Sequence, residues 1–198
     1  MWLSAECLNL SRREFLLSVT AVTVGSAAAL STLAPHVTAP RIHTIVARRG
    51  AATEAFRDAC TRETTPIGID VGPAMQALRG LGSIAGACLV FGLTRDIEHL
   101  LLEQIGLEQG FRPIYRAAHS ARDGHIEHQL HASPAVAATL AGRLQRAGRH
   151  WPAALAGAVP LVADSTRLGE PVALRTAGAH GDRVNFISWA IRREAVRE

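Results

Sequence analysis

From Ser83 to Leu93 the chain carries no charge, and Ser83 is the only polar side chain in the run. A strand with one wet face alternates apolar and polar residues, whereas a continuous apolar run predicts a strand covered on both faces, the mark of a central strand in a layered α/β sheet. Such a strand needs helices on either side, and the flanking sequence supplies them. Ala51 to Arg62 brings Ala52, Ala55, Phe56, Ala59 and Cys60 to one face at helical spacing. A short helix follows from Pro73 and breaks at Gly80 and Gly82. Asp96 to Gln109 repeats apolar residues at Ile97, Leu100, Leu101, Ile105 and Leu107, and Gly110 stands where a C-terminal cap belongs.

Strands fill the intervals. Ile42 to Val46 and Pro66 to Val71 precede the apolar run, giving βαβαβα and hence a largely parallel sheet. Phe111 to His119 and His125 to His131 flank Asp123-Gly124, a two-residue hairpin signal. Pro134 to Ala147 and Trp151 to Val159 read as helices, and Val172 to Thr176 and Val184 to Ile191 as closing strands. The expected fold class is α/β, a single domain over 40–198 with a mixed, largely parallel sheet and a late antiparallel portion, preceded by a signal peptide over 1–39. The 198 residues, 48% hydrophobic and 19% charged, suffice for one domain with a real core and exclude a disordered chain. All 21 basic residues are Arg. That bias speaks of a GC-rich genome, so the net charge of +4 does not make nucleic acid an expected partner.

The N-terminal segment reads as an address. Ser11-Arg12-Arg13-Glu14-Phe15-Leu16-Leu17 resembles the twin-arginine export motif, with Arg12 and Arg13 before the apolar pair Phe15 and Leu16. No charge follows until after Pro35. A secretory signal needs an apolar stretch of ~7–15 residues behind a basic segment, and a membrane span needs ~20. The Ser, Thr and Gly content of this stretch makes a poor permanent anchor. Export to the periplasm, with the twin-arginine translocase as partner, is therefore the expectation. The alternatives are an uncleaved N-terminal helix tethering the domain to the membrane and a core helix of a cytosolic domain.

Taken together, the export motif, the Gly92-Leu93-Thr94 block feeding a helix, the strand Gly110-Phe-Arg-Pro-Ile-Tyr-Arg-Ala-Ala-His119 and the ending Phe186-Ile-Ser-Trp-Ala-Ile-Arg-Arg193 resemble a family of twin-arginine-exported bacterial proteins of unknown activity. The resemblance implies export and one domain, and it brings no catalytic residues with it.

Two groups of residues are candidates for chemistry. If Asp123-Gly124 forms a two-residue turn, His119 lies directly opposite His128, with Cβ atoms ~4.5–5.5 Å apart. Two imidazoles so placed could share a metal, with His99, His180 or Asp96 as the third ligand that zinc requires; the alternative is a solvated hairpin. The second candidate is the turn Gly92–Asp96 at the carboxyl end of the apolar strand, the usual ligand position in open α/β sheets. There Thr94 would cap the next helix, and Thr94, Arg95 and His119 would gather around an anion or carboxylate. No dinucleotide fingerprint, Walker A, H-E-x-x-H, G-x-S-x-G or C-x-x-C motif occurs. Cys60 at a helix end and Cys88 within a strand are read as two separate buried thiols. The functions compatible with all this are a non-enzymatic periplasmic protein serving a small ligand or a partner, and a metal-dependent enzyme using His119 and His128. Whether the protein is an enzyme, and which cofactor it would use, the sequence leaves open.

Overall fold

The computed structural model describes residues 41–47, 50–60, 65–67, 71–82, 86–177 and 185–195, all within the compact unit Thr38–Glu198. Arg12, Arg13, Phe15, Leu16, the rest of the signal segment, and His180 lie outside the described residues. The elements are β1 (Arg41–Val46), α1 (Ala51–Cys60), β2 (Thr65–Ile67), α2 (Val71–Gly82), β3 (Cys88–Thr94), α3 (Asp96–Glu108), β4 (Arg112–Arg122), β5 (His125–His131), α4 (Pro134–Ala147), α5 (Trp151–Ala156), α6 (Val159–Ala163), β6 (Val172–Ala177) and β7 (Asn185–Arg193). They form a mixed α/β domain around one seven-stranded sheet of order β2-β1-β3-β7-β4-β5-β6.

The continuous apolar run behaves as its composition requires. Every residue of β3 is buried, because α1 packs on one face of the sheet and α2 and α3 on the other. Leu89, Phe91 and Leu93 join the first core cluster, and Cys88 and Val90 join the second. The strand begins later than its apolar stretch: Gly86, at φ 103°, precedes it and Cys88 opens it. Cys60 lies in the first cluster and Cys88 in the second, so the sheet separates the two buried thiols.

Parallel pairing is confined to β2-β1-β3. The order departs from a simple βαβ progression at one place, where β7 enters between β3 and β4, antiparallel to both. Consequently β3 and β4 run in the same direction without being neighbours, and four of the six strand pairings are antiparallel. The turn Asp123-Gly124 has φ of 50° and 76°, both positive as a two-residue hairpin demands.

Gly92 is fixed by this insertion. It lies opposite Trp189 of β7, and a Cβ at position 92 would collide with the indole, which lies across the glycine. Gly92→Ala is therefore expected to destabilise the domain by about 1–3 kcal/mol through overpacking. Denaturant melts of the two proteins check this, and equal midpoints would remove the argument.

One helix reverses its expected orientation. Of the apolar repeat in α3, Ile105 faces the core, but Ile97, Leu100, Leu101 and Leu107 face out. The inward face consists of His99, Leu102, Ile105 and Gly106, and the bare Cα of Gly106 lets the helix approach Ile191.

Candidate functional site

Strand alternation places Tyr115, Ala117 and His119 on one face of β4, and the hairpin register sets His128 of β5 opposite His119. Both imidazoles are buried, as are Ser188 of β7 and Thr176 of β6. The five polar side chains form one line across four strands. Tyr115 Oη lies 2.7 Å from Ser188 Oγ, which lies 2.7 Å from His119 Nε2. The two Nδ1 atoms of His119 and His128 are 2.6 Å apart, and His128 Nε2 is 2.8 Å from Thr176 Oγ1. Trp151, at the start of α5, closes the site. Its ring stacks on His119 with centroids 4.4 Å apart and meets His128 edge-on. Tyr115 in turn stacks on Phe91, and Phe91 on Phe56.

The proton inventory of this line constrains its charge. Between the two Nδ1 atoms one ring donates and the other accepts, which two neutral imidazoles satisfy. One polarity runs from Tyr115 Oη–H to Ser188, from Ser188 Oγ–H to His119 Nε2, from His119 Nδ1–H to His128 and from His128 Nε2–H to Thr176. It leaves the terminal hydroxyl hydrogen on Thr176 of the edge strand β6 and not on the fully enclosed Tyr115. Burial depresses both histidines. His119 is driven well below the ordinary value by desolvation and then by the neighbouring His128, and desolvation lowers His128 to about 4. Burial also pushes the Tyr115 phenol up, against the opposing effect of its hydrogen bond with Ser188. All three groups are neutral at neutral pH.

This arrangement does not fit a metal. Two nitrogens on one tetrahedral zinc lie about 3.3 Å apart, each ~2.0–2.1 Å from the ion. Here the Nδ1 atoms bond to each other and each Nε2 meets a hydroxyl, so no lone pairs converge on a common point. His99 lies on the other face of the sheet against Trp189, 3.4 Å from Glu103, and Asp96 is exposed at the start of α3. No three His, Cys, Asp or Glu side chains among the described residues gather closely enough to hold a metal ion. The cavity beside His119 and Trp151 measures only about 70 Å³.

The anion trio is likewise separated. Thr94, the last residue of β3, lies level with Ala118 of β4, both opposite Ile187, so β3 ends near the level of His119 while β4 runs on to Arg122. The side chains diverge there. Thr94 Oγ1 accepts from Trp189 Nε1 at 2.9 Å, whereas His119 meets Ser188, the preceding residue of β7; consecutive residues of a strand point to opposite faces. Thr94 and His119 thus sit on opposite sides of the sheet. Nor does Thr94 cap the helix: Arg95 is the N-cap, its backbone N–H donating to Glu98 Oε2 at 2.9 Å. The Arg95 side chain is exposed and joins neither group.

A larger cleft opens at the other end of β3 and β4. It has a volume of about 670 Å³, within the ~300–1,000 Å³ of small-molecule sites. Among the described residues three arginines line it, Arg112 of β4 with Arg192 and Arg193 of β7, against one carboxylate, Glu194. Arg112 and Arg192 are register partners. Arg192 is held by Ala163 O at 3.2 Å and Glu194 at 2.8 Å. Arg193 donates to Gly82 O and lies over the Phe111 ring. Arg112 is exposed and makes no ion pair among the described residues.

Period-two alternation from Tyr115 could have marked His119 as a core residue. Ser188, Thr176 and Trp151 carry no comparable sequence signal, since only the strand order brings them to the histidines. The arginine cleft was missed because Arg192 and Arg193 close the chain's final strand, far in sequence from Arg112. Comparison with family models, curated proteins and solved structures finds no match to this chain.

Proposed function

We propose that the chain is an exported periplasmic protein that binds a small anionic ligand without transforming it. The arginine cleft carries this reading: three guanidiniums around one opening, with five N–H donors each and a fixed charge, suit carboxylate or phosphate oxygens. Two of them are held in place by carbonyls, a carboxylate or a ring, which reduces the ordering cost of gripping a ligand. The third, Arg112, is free to complete the grip. The paired Arg12-Arg13 before an uncharged stretch supports export. The histidine line supports binding over catalysis, because a general base must reach a substrate proton, and here both nitrogens of each ring already have partners within the fold.

Calorimetric titration of the protein with inorganic phosphate, succinate and citrate tests the reading. At least one is expected to bind, and Arg112→Ala should weaken it by about tenfold, the cost of about 1.4 kcal/mol for one charge-assisted contact. Failure of all three at millimolar concentration, or an unchanged affinity in Arg112→Ala, would overturn it.

A further inference from the structure

Helix α3 has more apolar surface than the domain covers. Its inner face packs on β3 and β7, while Ile97, Leu100, Leu101 and Leu107 on its outer face are 73%, 57%, 47% and 49% exposed. The spacing 97, 100, 101, 104, 107 traces one stripe, interrupted by the polar Gln104 and closed at its C-terminal end by Glu108, which lies on the same line as Ile97. A single exposed leucine needs no explanation. One isoleucine and three leucines along a single stripe expose on the order of 400 Å², the size at which an apolar patch marks an interaction site.

The rim of the stripe narrows the choice of partner. Asp96, Glu98, Glu103 and Glu108 stand on this helix against Arg95 alone, in a chain whose net charge is positive. Asp96 and Glu98 suit a helix N-terminus, where the macrodipole favours carboxylates. Glu103 and Glu108 lie in the second half, where the dipole opposes them, so helix stability does not account for their presence. Glu103 lies 3.4 Å from His99, whose pKa is lowered first by burial and also by the nearby Arg116. Glu108 receives only a long hydrogen bond from Gln104, at 3.5 Å. Two copies of α3 packed together would bring acidic rim to acidic rim, and an anionic lipid surface would be repelled in the same way. A basic surface is attracted. Ile97 and Gln104, and Leu100 and Leu107, are each seven residues apart, so the stripe has the spacing that accepts a second helix along its length.

We propose that the Ile97–Leu100–Leu101–Leu107 face of α3 docks an amphipathic helix of a partner protein, one whose apolar stripe is flanked by arginine or lysine. The partner is held by burial of the leucines and selected by the acidic rim. This surface is distinct from the arginine cleft, and the proposal does not depend on what that cleft binds.

Two synthetic peptides of about 18 residues, long enough to span α3, provide the test. They share one leucine stripe and differ only in carrying Arg or Glu at the flanking positions. Titrated into the full chain and followed by fluorescence anisotropy, the Arg peptide is expected to bind at least about tenfold tighter than the Glu peptide, with the gap narrowing as salt rises. Leu100→Gln combined with Leu101→Gln should abolish binding while leaving the melting temperature unchanged, both side chains being exposed. Glu103→Gln with Glu108→Gln should remove the preference for Arg while retaining the leucine-driven binding. No binding at about 100 μM, equal binding of the two peptides, or binding unaffected by the leucine substitutions would overturn the proposal. So would a self-associated chain that dissociates on the leucine substitutions, or selective retention of the chain by vesicles of anionic lipid.

Discussion

Acidification from pH 7 to pH 5 is expected to destabilise the domain by about 2 kcal/mol through His128 alone, with His119 adding in the same direction. A histidine held neutral by the fold takes up its proton only on unfolding, so acid favours the unfolded chain. The loss begins below the unfolded value of about 6.5. For His128 it continues until the folded value of about 4, at up to about 1.4 kcal/mol per pH unit; His119 stays neutral to lower pH still. Above pH 7 both contributions are complete and stability is flat with respect to them. Against a total of about 5–15 kcal/mol for a typical domain, the effect is large. Urea melts at half-unit pH steps measure it. The interval from 6.5 to 5 is diagnostic because ordinary carboxylates remain ionised through most of it. A flat midpoint across that interval would show that the imidazole line is not closed in solution.

Replacement of both Arg12 and Arg13 with Lys is expected to abolish export. The twin-arginine route reads the planar guanidinium pair, and Lys offers the same charge without the planar fork. Cell fractionation of the wild-type and doubly substituted chains decides it: retention of nearly all the doubly substituted protein in the cytoplasm is expected, and undiminished periplasmic accumulation would refute the assignment. An unchanged melting temperature of the doubly substituted chain would show that the substitution acts on transport alone.

Local pattern made much of the fold legible. The unalternated run ending at Leu93 dictated a strand buried on both faces, and all of β3 is buried. Asp123-Gly124 fixed the hairpin and, through it, the pairing of His119 with His128. These features depend on neighbours within a few residues, where period and turn chemistry act. Which face of a helix turns inward is less local. The apolar repeat of α3 marked a helix but not its orientation, because both of its faces are apolar, and Gly106 and the strand beneath it decided the outcome.

By itself the sequence determined the kind and approximate place of the main elements, the hairpin register and the burial of the central strand, although the single helix expected over Trp151–Val159 is followed by a separate one, α6. It also determined that Cys60 and Cys88 belong to different elements. The tertiary structure alone decided where β7 goes. Its insertion between β3 and β4 set Thr94 and His119 on opposite faces, supplied Ser188 to His119, and brought Arg192 beside Arg112. A closing strand can fill any open slot whose width and polarity it suits, and its own residues do not say which. That choice is made by the summed packing of Trp189 over Gly92, Ile191 under α3 and Phe186 in the opposite core. Each of these contacts joins positions remote in the chain, and their free energy exists only once the sheet has assembled.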